Sequence, residues 1–110
     1  MTPRLTADFR VKALVRHCLA HDLFAAVRHR GDGERGGLLI KIDRFAAGCR
    51  LLEPVSDPAG ATAWRDVAAP PVDAARAEDL IARRRRVDRD LWVVEVEDPS
   101  SAFDPADLPA

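Results

Sequence analysis

The chain has 110 residues, 47% hydrophobic and 32% charged, with a net charge of −1. That length is one domain, enough to bury roughly 65% of the unfolded chain's surface without staples. The composition is that of a folded chain, and the near-neutral balance excludes the domain-wide basic excess of a sequence-independent nucleic-acid binder.

Fifteen of the 17 basic residues are Arg, a bias that a GC-rich genome produces without any Arg-specific chemistry. Charge is segregated: ten basic against five acidic residues in positions 1–50, seven against thirteen in 51–110. The two halves can neutralise each other within one fold, or one copy's basic half can meet another's acidic half. Met1-Thr2-Pro3-Arg4 opens no apolar signal region, and no window approaches the ~20 apolar residues of a membrane span. Cys18 and Cys49 have no framework spacing, so a cytoplasmic protein with free thiols and no membrane partner is expected.

In chain order, Thr6 caps a helix over about Ala7–His21, with Ala7, Val11, Leu14, Val15 and Cys18 on one stripe. Leu23–Arg30 reads as a strand, ended by the glycine-rich Gly31–Gly36. Gly37–Asp43 is a second strand, with Leu38, Ile40 and Ile42 on one face and Leu39, Lys41 and Asp43 on the other. Arg44–Gly48 turns into a third strand, Cys49–Pro54, and Ser56–Gly60 is a loop. Thr62–Asp66 is a short fourth strand whose Trp64 helps to cover the core. Asp73 caps a second helix running to about Arg86, with Ala77, Leu80, Ile81 and the stem of Arg84 inward and its cations at the C-terminal end. The strand Leu91–Glu97 is apolar on both faces at its start, which places it centrally.

The expected class is α+β: an antiparallel-dominated sheet of four or five strands with two helices packed on one face, in the order α-β-β-β-(β)-α-β. Residues 1–98 form the single domain. Residues 99–110 form a Pro-rich tail that Phe103 and Leu108 can pin to the body.

Several motifs invite chemistry. Gly31-Asp32-Gly33-Glu34-Arg35-Gly36 matches G-x-G-x-x-G, but a strand follows where a dinucleotide site needs a helix, and Asp32 and Glu34 repel phosphate. It reads as a hairpin turn. His17 and His21 stand at metal-chelating i, i+4 spacing, with His29 a third imidazole. No C-x-x-C or H-E-x-x-H accompanies them, so neither a metal nor another cofactor is expected. Arg83-Arg84-Arg85-Arg86 can contact anions, yet four consecutive helical residues point in four directions, and Asp79, Asp88 and Asp90 are near in sequence. Glu95 and Glu97 alternate on one face of the last strand and, with Asp43, offer carboxylates for a divalent ion or acid–base work. Cys18 is packed on the helix stripe, whereas Cys49, beside Gly48, is the more exposed thiol.

Pro71-Val72-Asp73, Ile81-Ala82-Arg83-Arg84 and the string Asp88-Arg89-Asp90-Leu91-Trp92-Val93-Val94-Glu95-Val96-Glu97-Asp98 together resemble DUF1491, a family of short bacterial proteins of unknown function. Val11–Arg16 resembles its first helix, and Gly31-Asp32 with Leu38–Ile42 its hairpin, so the resemblance runs from about Leu5 to Asp98. Arg89 and Val87 depart from the small or proline residue and the aromatic residue common there. The resemblance implies a cytoplasmic protein of this length and supplies no activity, cofactor or catalytic residue.

The leading expectation is a non-catalytic interaction module that binds a protein partner or itself through Arg83, Arg84, Arg85 and Arg86 with Asp88 and Asp90. The alternative is a nucleic-acid-associated protein, in its sharpest form a divalent-metal nuclease using Asp43, Glu95 and Glu97.

Overall fold

Side-chain caps start both helices. The Thr6 hydroxyl accepts from the Phe9 N–H at 3.2 Å, and the Asp73 carboxylate from the Arg76 N–H at 2.7 Å. Each satisfies a donor that the first helical turn leaves open. The computed structural model describes residues 6–56, 62–104 and 106. Most of the loop expected at Ser56–Gly60, and Leu108, lie outside the described residues.

The elements are α1 (Ala7–Ala20), β1 (Phe24–His29), β2 (Leu38–Asp43), a 3-10 turn (Phe45–Ala47), β3 (Cys49–Ser56), β4 (Thr62–Asp66), α2 (Ala74–Val87) and β5 (Trp92–Glu97). The strands form one open sheet in the order β1-β5-β2-β3-β4. Three of the four neighbouring pairs are antiparallel, and β2 with β5 is parallel. The α+β class, the element order and the interior position of β5 are as the sequence leads one to expect.

The sidedness of the helices is not: α1 and α2 lie on opposite faces. Strand side chains alternate between faces. Leu38, Ile40, Ile42, Val94 and Val96 pack with Val11, Leu14 and Cys18 of α1. Leu39, Leu51 and Val93 pack with Ala77 and Ile81 of α2. The unbroken apolar run Leu38-Leu39-Ile40 and the adjacent Val93-Val94 have no other physical reading, since a sheet covered on one face alternates apolar and polar residues. Val93 and Val94 are both fully buried.

Beyond β5 the chain is tied back to the body. The Asp98 carboxylate, fully buried, accepts from the N–H groups of Ala102 (2.8 Å) and Phe103 (3.0 Å) and from Arg44 Nε (3.3 Å). Arg44 Nη2 also donates to the Phe103 carbonyl at 3.4 Å. Phe103 thereby enters the α1-side core.

Candidate functional site

The glycine-rich loop corrects the expectation of a hairpin turn, because β5 lies between β1 and β2; it is a packing device. Asp32 N–H donates to the Asp90 carbonyl at 3.0 Å, and Trp92 Nε1 donates to the Asp32 carbonyl at 2.7 Å. A Cβ at Gly31 or Gly36 would run into the Asp90 carbonyl oxygen, so only glycine lets the loop lie against the turn before β5. The Asp32 carboxylate accepts from the Arg35 N–H at 2.7 Å, occupying a donor that a phosphate cradle would leave open.

The arginine run ends α2, and its members diverge. Arg83 Nε meets Asp79 at 3.1 Å, and Arg84 Nη1 crosses to Glu53 on β3 at 3.0 Å. Arg85 bears on His29, whose pKa is lowered first by burial and then by the positive charges of Arg85 and Arg28. Arg85 and Arg86 make no ion pair among the described residues. Asp88 and Asp90, expected beside this run, build the turn that follows it. Asp88 follows the helix as its C-cap, and its carboxylate accepts from the Asp90 N–H at 2.9 Å.

Where α2 ends above the start of β2 and the far half of β3, the surface opens into a cleft of about 240 Å³. Leu38, Leu39, Pro54 and Leu91 give it apolar walls, and Arg84, Asp88 and Glu53 a polar rim. Glu53 anchors that rim, because it also accepts from Arg65 of β4, at 2.7 Å. Val87 stands at the mouth and is 89% exposed. A second cleft, about 350 Å³, lies by Gly48, Pro70 and Pro71. Its two cations are committed, Arg44 to Asp98 and Arg50 to Asp66 at 3.0 Å. The α2 cleft, lined by Arg84 and Asp88 of the surface that the sequence nominates, is therefore the stronger candidate.

The acidic trio shares the α2 face without acting as one site. In the parallel pair of β2 and β5, Lys41 lies beside Glu95 and Asp43 beside Glu97. Glu95 is neutralised: Lys41 Nζ contacts it at 2.9 Å and Glu78 at 2.8 Å, while Arg28 contacts Glu78 at 2.9 Å and Glu95 at 3.5 Å. These four side chains close a ring of alternating charge. The hydrogen bonds from Arg28 and Lys41 hold the Glu78 pKa at about 2. Burial alone would lower the Lys41 pKa, but the two carboxylates outweigh it and raise it. Asp43 meanwhile accepts from the Phe45 N–H at 2.9 Å. Asp43 and Glu97 are left as register neighbours at the strand ends, apart from the neutralised Glu95. Among the described residues no group of three or more His, Cys, Asp and Glu side chains is placed to hold a metal ion.

The His17 and His21 rings lie against each other, centroids 4.3 Å apart, with His21 Nδ1 2.9 Å from the His17 carbonyl oxygen. His29 is on β1. Cys18 is buried, and burial, with the Asp98 charge second, raises its thiol pKa to about 11. Cys49 corrects the expectation of an exposed thiol, being only 2% exposed. Its backbone exchanges hydrogen bonds with Val72, at 2.8 and 3.0 Å, so the segment before α2 covers it. Burial, then the Asp43 charge, raises its pKa also.

Fold and site together define a small open-sheet α+β domain with a rimmed surface cleft. The chain belongs to the family described as protein of unknown function DUF1491, whose profile matches residues 5–103. It is similar to the crystal structure of a DUF1491 family protein from Caulobacter crescentus: TM-score 0.79, 31% identity, covering 87% of this chain and 90% of that one. An NMR structure of a DUF1491 family protein from the same organism gives a TM-score of 0.77 at 30% identity, covering 90% of each chain. The solution structure of a protein from A. tumefaciens gives 0.75 at 28% identity, covering 87% of each. No curated protein matches the chain. No helix among the described residues is long and apolar enough to cross a membrane.

Proposed function

We propose that this protein is a non-catalytic interaction module of the cytoplasm, and that the cleft at the end of α2 receives an apolar side chain of a partner protein. Acidic residues flanking that side chain meet Arg84 at the rim and Arg83, one helical turn before Val87. The observation that carries this reading is Val87, 89% exposed at the mouth of an apolar-walled cleft whose rim carries Arg84. An apolar contact that excludes water, ringed by charges that fix orientation, is how protein interfaces concentrate their binding energy. The rim supports it too, since Glu53 already orders Arg84 and Arg65, lowering the entropy lost on binding.

Selection of random peptides against the full-length protein tests the reading. Enrichment of acidic peptides around one large apolar residue is expected, and it should vanish against a Val87→Glu variant. Enrichment of basic peptides, or enrichment indifferent to Val87→Glu, would overturn it.

A further inference from the structure

Among the described residues the strand β1 is paired on one side only. It stands at the end of the sheet with β5 as its neighbour, so its outer edge presents unpaired backbone N–H and C=O groups. Soluble proteins blunt such edges with proline, charge or bulges. Phe24-Ala25-Ala26-Val27 has neither proline nor charge, and the register irregularity falls only beyond it, between Val27 and His29. The opposite edge strand, β4, carries Arg65 and Asp66. Phe24 and Val27 are 56% and 43% exposed.

We propose that β1 pairs antiparallel with β1 of a second copy of this chain, across a two-fold axis at Ala26, joining two five-stranded sheets into one. Such an axis stands perpendicular to the sheet and keeps each face on its own side, so facing residues share a parity. With Ala26 on the axis, Ala25 faces Val27 of the partner subunit and Phe24 faces Arg28 of the partner subunit. The first contact extends the α1-side apolar layer, against which Ala25 already packs. The second sets the Phe24 ring against the aliphatic stem of an arginine whose charge is already met within its own subunit. The strand thus meets its own copy with apolar surface on both faces of the sheet and no unpaired charge, which singles out a second copy as the occupant. The edge shares no residue with the α2 cleft, so the two proposals stand or fall separately.

Sedimentation of the full-length protein, from low micromolar to several hundred micromolar, tests the pairing. The wild type should pass from monomer to dimer across that range. Phe24→Lys should stay monomeric with an unchanged circular-dichroism spectrum, because the new cation sits beside Glu97 in the monomer and against Arg28 of the partner subunit in the dimer. Phe9→Lys, an equally exposed position on the outer side of α1, should dimerise as the wild type does. If Phe24→Lys loses its fold, Val27→Arg decides in its place. A wild type that remains monomeric throughout, or a folded Phe24→Lys or Val27→Arg that dimerises at the wild-type concentration, overturns the proposal.

Discussion

Glu53 Oε2 lies 3.0 Å from Arg84 Nη1, while its other oxygen holds Arg65 at 2.7 Å. One carboxylate on β3 therefore ties the last turn of α2 to both β3 and β4. Glu53 is only 16% exposed, but both guanidiniums face water. Glu53→Gln should therefore cost little, about 1 kcal/mol, read from urea denaturation. The same change frees Arg84 and should weaken binding of a selected acidic peptide several-fold. A variant that binds such a peptide as the wild type does would mean that the rim plays no part.

Lys41 presents a sharper energetic case. Its side chain is 6% exposed and lies between Glu78 and Glu95. Lys41→Met should destabilise the fold by about 2–4 kcal/mol, because it leaves Glu95 with only the longer Arg28 contact. Adding Glu95→Leu removes that stranded charge and should recover part of the loss. A double variant whose loss equals the sum of the single losses would show that the two residues are not coupled.

The same ring sets an acid limit. The Glu78 pKa is depressed from its ordinary 4.5 to about 2, so the folded state binds this proton less readily than the unfolded state. Its contribution is complete above the ordinary value and is lost as pH falls through the folded one. Stability to urea should decline between about pH 4.5 and pH 2, and Glu78→Gln should flatten part of that decline. An identical pH profile in the variant would contradict the account.

Both thiols should resist alkylation at mildly alkaline pH until the chain unfolds. Cys18 is 0% and Cys49 2% exposed, and both thiol pKa values are raised. Maleimide labelling followed by mass spectrometry should find neither labelled in the native protein and both labelled in denaturant. Rapid native labelling of Cys49 would contradict the burial described for it.

Much of this architecture is written locally. Thr6 and Asp73 mark the helix starts, and Trp92-Val93-Val94 marks an interior strand, because caps and two-sided apolar runs are properties of short segments. The opposite placement of the helices was missed, although Leu38-Leu39-Ile40 carries its signal, two parities that each need a cover. Cys49 was misjudged because its cover, Val72, lies 23 positions on and packs by a tertiary bridge. The ion-pair ring joins Arg28 to Glu78 across 50 positions, a separation at which no spacing rule operates. Its one local sign is Lys41, a lone cation in the apolar run of β2. Glu53 gave no sign at all, since its role depends on how α2 crosses β3. The divergence of Arg83–Arg86 followed from helical geometry alone, while the partners of Asp88 and Asp90 depended on the turn they build.

Capture from a lysate of the native host bears most directly on the central claim. Tagged wild type and Val87→Glu should be compared after nuclease treatment, with retained proteins quantified by mass spectrometry. The account predicts a near-stoichiometric protein that survives nuclease with the wild type and falls at least ~10-fold with the variant, as loss of a buried apolar anchor entails. Equal recovery by both forms, or recovery that disappears once nucleic acid is digested, would contradict it.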